Sequence, residues 1–73
     1  MGYNPWPDRL RALRAQLGFT QKELAAVMQV HPSTLAHWEQ NSRVPEGPAR
    51  TLTTLFERWP CAVKKLAQNH GRD

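Results

Sequence analysis

The stretch Thr20-Gln21-Lys22-Glu23 constrains this chain more than any other. It has the T-x-x-E form of a capping box, in which a threonine hydroxyl and a glutamate carboxylate satisfy each other's free backbone N–H groups. Phe19 before it and Leu24 after it occupy the two positions of a hydrophobic staple. A helix therefore starts here, with Leu24, Ala25 and Met28 as its apolar stripe and an end near Met28 or Gln29. Only a few residues, through His31, separate that end from Pro32, which suits the first position of another helix. That third helix turns Leu35 and Trp38 inward, and Asn41 is a plausible left-handed residue after its end. Two short helices joined by a tight turn must share one core.

The flanks read as helices too. Pro7 and Asp8 suit a first turn, because proline needs no N–H there and an acid favours the positive end of the helix dipole. Leu10, Leu13, Arg14 and Leu17 follow at i, i+3, i+4 and i+7, and Gly18 supplies a stop. After the loop from Ser42 to Gly47, Pro48 opens a fourth helix carrying Ala49, Leu52, Leu55 and Phe56. Trp59-Pro60 breaks it, and a fifth, shorter helix holds Val63 and Leu66. Residues 69–73 are expected to be a loose tail. Nowhere do β-branched or aromatic residues alternate as a strand requires. With 73 residues the expectation is one all-α domain over 1–73, with its two central helices at about 20–40 and a core small enough to benefit from a partner.

Composition narrows the function classes. Ten Lys and Arg against six Asp and Glu leave a net charge of +4, which favours an acidic partner such as nucleic acid. The single cysteine, Cys61, allows no internal disulfide and suits the reducing cytoplasm. His31, His37 and His70 are not at metal-ligand spacings, so no metal site, cofactor or catalytic constellation is expected. The segment from Met1 to Pro7 lacks the apolar core of a signal peptide, and no apolar run reaches membrane-spanning length.

The second and third helices form a helix-turn-helix pattern. At about 100° per residue, Leu35, Trp38 and His31 share one side of the third helix. Ser33, Ala36, His37 and Gln40 share the other. That outward face has no acidic group and offers hydrogen-bonding side chains with one methyl, which suits base edges. By itself it is equally an ordinary solvated face.

A resemblance adds to this. Leu17-Gly18-Phe19-Thr20-Gln21-Lys22-Glu23-Leu24-Ala25, then Ser33-Thr34-Leu35 and Trp38-Glu39, resemble the Cro and phage-repressor-type (XRE-like) helix-turn-helix family. The likeness runs from Leu10 to about Leu55. It implies a five-helix, lambda-repressor-like domain that binds double-stranded DNA as a homodimer in transcription control. It also implies Gln21 at a phosphate, Ser33 and His37 at base edges, Thr34 at the backbone or helping to cap, and Arg14 paired with Glu39 as a structural tie. Gln40 on the outward face and Arg43 in the following loop complete the expected contacts, with Arg50 a weaker phosphate candidate. Arg9, Arg11, Arg58, Lys64 and Lys65 read as solvated. Three residues depart from the family pattern. Pro32 replaces a polar reader and cannot donate, His31 replaces a Ser or Thr cap, and Asn41 stands where Gly is common.

The competing function is protein interaction. Stand-alone domains of this size resemble antitoxins, which bind a toxin and their own operator, and short phage regulators. Phe56, Trp59, Val63 and the fifth helix are then either a dimer or partner surface or simply the closure of the core. Tyr3 and Trp6 either cover the first helix or reach a neighbour.

Overall fold

The computed structural model describes residues 3–70, with side chains through residue 68. Five helices follow in order: α1 (Trp6–Leu17), α2 (Gln21–Met28), α3 (Pro32–Glu39), α4 (Gly47–Arg58) and α5 (Pro60–His70). No strand occurs among the described residues.

Their boundaries follow from local chemistry. In α1, Pro7 lies in the first turn, the Asn4 Oδ1 accepts the Trp6 N–H at 3.1 Å, and Gly18 ends the helix at φ 71°. There the Phe19 N–H bonds the Arg14 carbonyl and the Gly18 N–H bonds that of Ala15, the paired geometry that a left-handed residue makes possible. At α2 the Thr20 Oγ1 accepts from the Glu23 N–H at 3.1 Å and Glu23 Oε1 accepts from the Thr20 N–H at 2.8 Å. The capping box is thus closed from both sides. Gln29 (φ 64°) and Asn41 (φ 65°) take the left-handed conformation after α2 and α3. Non-glycine residues there carry a cost of about 1 kcal/mol or more, set against the Val30 and Ser42 N–H bonds to the Ala25 and His37 carbonyls that the turn makes possible.

The core joins Leu10, Leu13 and Leu17 of α1 to Leu24, Ala25, Val27 and Met28 of α2, with Leu35 and Trp38 of α3, Phe56 of α4 and Val63 of α5. α1 packs on α3, α4 and α5; α2 packs on α3 and α5. α3 is therefore held from two sides while its third side stays open.

Several expectations need correction. Leu55 and Leu66, grouped in the sequence with Phe56 and Val63 on the fourth and fifth helices, are each 44% exposed, whereas Thr53 is fully buried. Thr53 can sit inside because its Oγ1 donates to the Ala49 carbonyl at 2.8 Å, satisfying the hydroxyl within its own helix. α5, with 11 residues, is shorter than the 12-residue α4 as expected, but residues 69 and 70, expected in a loose tail, are helical. Residues 71–73 of that tail lie outside the described residues. Arg9 and Arg11 are not free. Arg9 grips Glu57 of α4 with Nη2–Oε1 at 2.6 Å and Nε–Oε2 at 3.2 Å and lies 4.1 Å over the Trp6 ring. The Glu57 carboxylate raises the Arg9 guanidinium above its usual range. Trp6 is half-buried, and Arg50 of α4 also lies above its ring at 6.0 Å.

Candidate nucleic-acid interface

The site begins with a buried carboxylate. Glu39, at the end of α3, is 3% exposed, and a charge so placed needs partners from every direction. Arg14 of α1 meets it as a fork, Nε–Oε2 at 2.8 Å and Nη2–Oε1 at 3.0 Å. Gln21 of α2 donates Nε2 to Oε1 at 3.1 Å. Arg11 donates to the Glu39 carbonyl at 2.6 Å and to Asp8 Oδ1 at 3.0 Å. One residue thus joins three helices and fixes the angle at which α3 stands against α2. Among the described residues no buried side-chain nitrogen or oxygen lacks a partner.

The turn between α2 and α3 is set by the α2 end, where Gln29 and Val30 N–H groups return to the Ala26 and Ala25 carbonyls at 3.2 and 3.0 Å. His31 then caps α3. Expected on the inward side with Leu35 and Trp38, it is instead exposed. Its Nδ1 accepts from the Ser33 N–H at 3.1 Å and lies 2.8 Å from the Ser33 Oγ. The reason is Pro32. Proline fixes the first helical position, so the preceding side chain faces the free N–H of the second, and an imidazole nitrogen can accept it.

The outward face of α3 presents Ser33, His37 and Gln40 exposed, with Thr34 and Ala36 half-buried. Its one acid, Glu39, is turned inward, so the exposed face carries no negative charge. Gln21 is half-buried at the start of α2. One N–H of its Nε2 holds Glu39, and a second N–H remains on the same nitrogen. The first-turn N–H groups of α2, at Gln21 and Lys22, have no partner within the helix. The fork and cap therefore place Gln21, Ser33 and His37 on two elements locked to a common residue. Arg43 follows α3 in an exposed loop whose backbone is tied back by Ser42 and Arg43 N–H bonds to the His37 carbonyl at 2.9 and 3.3 Å. Arg43 and Thr34 share the rim of an open groove of about 300 Å³ that also touches Trp38, Val44 and Glu46. Arg50 is set apart, because its Nε donates to the Pro45 carbonyl at 2.8 Å.

Sequence reasoning missed the roles of Arg11 and the coupling of Gln21 to Glu39. For Gln21 a signal was present: a buried carboxylate on the inward side of α3 needs more than one donor, and Gln21 opens the neighbouring helix α2. Arg11 reaches the Glu39 backbone carbonyl, for which the sequence carries no local signal. Among the described residues no three His, Cys, Asp or Glu side chains converge as metal ligands, and no helix is long and apolar enough to cross a membrane.

Comparison with known proteins agrees with this geometry. The family described as helix-turn-helix matches residues 10–48, from α1 through the start of α4. The chain is similar to antitoxin HigA-2 of Vibrio cholerae, 32% identical over 62 residues that cover 85% of this chain and 60% of the relative. It therefore spans well under the whole length of that protein. No solved structure matches at a significant level. A matched segment that contains the capping box, the turn, the outward face of α3 and both ends of the Arg14–Glu39 fork leaves one assignment: the chain belongs to the XRE-like helix-turn-helix family of DNA-binding regulators.

Proposed function

We propose that the chain binds a two-fold operator as a homodimer in the cytoplasm and represses by occlusion, without catalysis. The observation that carries the reading is the acid-free outward face of α3, fixed beside the open N-terminus of α2 by Glu39. In this reading α3 enters the major groove, whose base edges its hydroxyl, imidazole and amide can address. Ser33, His37 and Gln40 face bases. Gln21 meets a phosphate through its backbone N–H and its remaining side-chain N–H, aided by the helix dipole. Thr34 contacts the backbone beside Ser33 at the start of α3, and Arg43 does so beyond its other end.

The homodimer is supported by a different surface. Leu55 and Leu66 are 44% exposed and Trp59 is 56% exposed. With Phe56, Ala62 and Val63 they line an open apolar groove of about 240 Å³ between α4 and α5. A second copy seated there buries what one chain leaves in water, and two recognition helices then address half-sites one helical turn apart, about 34 Å.

The test is selection of duplexes from a random pool, followed by shift assays across salt. The logarithm of affinity should fall against log salt with a slope of roughly −4 to −8, as expected for a dimer neutralising that many phosphates. Gln21→Ala should weaken binding to all sequences alike, and His37→Ala should change sequence preference. A flat slope, or no duplex bound at low salt, refutes the reading.

A second reading rests on the relative's name. HigA-2 is an antitoxin, and a protein toxin is then an alternative occupant of the Leu55–Trp59–Leu66 groove. A stoichiometric complex with a toxin that displaces the second copy on gel filtration would favour it.

A further inference from the structure

We propose that His31 is a positioning residue that makes Ser33 a one-way hydrogen-bond acceptor, so that the start of α3 selects adenine or cytosine over guanine or thymine on the strand it faces. The inference rests on the DNA reading above and adds to it the chemistry of one contact.

The argument is a proton count. The Ser33 backbone N–H points at His31 Nδ1 at 3.1 Å. A backbone amide only donates, so Nδ1 must be the unprotonated nitrogen of a neutral ring, and the ring proton sits on Nε2. The Ser33 Oγ lies 2.8 Å from the same Nδ1. Two lone pairs do not sit that close without a proton between them, and the ring has none there. The proton is therefore the serine's own, and the single Nδ1 lone pair is shared in a three-centre bond between the Ser33 N–H and the Ser33 O–H. A free serine hydroxyl donates or accepts as its partner requires. This one has its hydrogen committed to the imidazole and presents lone pairs alone.

Exposed serine lone pairs in the major groove need a donor. Adenine offers N6–H₂ and cytosine N4–H₂, while guanine N7 and O6 and thymine O4 are acceptors. Pro32 strengthens the restriction, since it has no N–H to offer beside Ser33. The start of the helix thus has no donor turned to the groove from Pro32 or from Ser33, and the acceptor decides.

The test uses the duplex recovered by selection, varied at each half-site position. At one position the native protein should prefer A or C over G or T by roughly five- to ten-fold. Replacing that adenine by purine, or that cytosine by its analogue without the 4-amino group, should remove the preference for the native protein and leave Ser33→Ala unaffected. His31→Ala should reduce the A/C against G/T ratio to less than about two-fold, because the hydroxyl is then free to turn. His31→Asn should restore it, since the amide oxygen accepts from the same two donors. Long-range proton–nitrogen spectra of the free protein should show the His31 proton on Nε2. A proton on Nδ1, a preference for G or T at the Ser33 position, or an unchanged ratio in a folded His31→Ala protein overturns the proposal. Failure to recover any duplex would instead overturn the DNA reading, and the imidazole spectrum still decides the hydrogen-bond geometry.

Discussion

The α1–α3 half and the α4–α5 pair solve the problem of a small core in opposite ways. In the first, the inward surface includes a charge, and Arg14, Gln21 and Arg11 converge on Glu39 until every polar atom is matched. What remains outside is polar. In the second, a fully buried polar side chain, Thr53, closes on its own helix, and apolar side chains are left over at the surface: Leu55, Trp59 and Leu66. One half is complete as a single chain and offers hydrogen-bonding groups to an external partner. The other offers area, and area is stabilising only when something covers it. On the proposed function, recognition belongs to the first half and assembly to the second.

The strongest way to break the comparison is Glu39→Ala. Removing one member of a buried pair leaves the other without compensation, a cost of about 3–5 kcal/mol. The Arg14 side chain keeps 25% exposure, so the loss should fall at the low end, about 3 kcal/mol, in urea titration. Replacing Arg14 and Glu39 together by Met and Leu should recover most of the stability while altering the angle of α3. If Glu39→Ala costs under 1 kcal/mol, the polar hub is decoration and the two halves do not differ as described. Next in size is Trp59→Ala. It should raise the dimer dissociation constant at least ten-fold, about 1.4 kcal/mol or more, in sedimentation equilibrium, with the helical content of the monomer unchanged. A native chain that remains monomeric throughout would remove assembly from the α4–α5 face.

What the sequence made legible divides along the same line. The start of α2 could be read because Thr20, Glu23 and Phe19 carry their own signals within a few residues, and capping is local. The Arg14–Glu39 pair could be anticipated because a charge at an inward position demands a partner. The α4–α5 pair was harder. Leu52, Leu55 and Phe56 share a helical stripe with Ala49, and only the angle between the two helices decides that Leu55 faces out and Thr53 in. That angle is set by Pro60 and by packing on α1 and α2, which is not local. His31 was misplaced for a related reason: rotation around an ideal helix counts it with Leu35, but a capping residue has extended backbone (φ −69°, ψ 142°) and does not follow helical rotation. Arg9 reads as solvated until Glu57, far along the chain, is brought opposite it. A smaller prediction sharpens this point. Thr53→Val should change stability by less than about 1 kcal/mol, because the Ala49 carbonyl keeps its helical N–H partner when the hydroxyl is removed. Loss of several kcal/mol would show that the hydroxyl is required inside the core rather than tolerated there.

The smallest expected effect lies at the fringe of the polar hub and asks how far the hub extends. Asp8 accepts from the Tyr3 hydroxyl and from Arg11, which also holds the Glu39 carbonyl. The Tyr3 bond first, and Arg11 second, hold the Asp8 carboxyl below its usual range. Folding therefore favours the carboxylate. The stability it adds is complete above the ordinary Asp range and is lost as pH falls through the lowered value. Tyr3 mirrors this. The Asp8 bond raises its phenol above the usual 10.0, so folding favours the protonated form, with stability present below 10.0 and lost as pH rises through the raised value. Both groups are exposed, and solvent screening keeps the energetic consequence small. The readout is accordingly a titration rather than a melting curve. The ultraviolet band of the Tyr3 phenolate should appear at higher pH than in free tyrosine, and Asp8→Asn should return it towards the free value. If Asp8→Asn also lowers affinity for the selected duplex, Arg11 transmits the change to Glu39 and the recognition half reaches to the first residues described. If affinity is unchanged, the hub is confined to Arg14, Gln21 and Glu39, and the contrast between a closed polar half and an open apolar one stands on those three side chains.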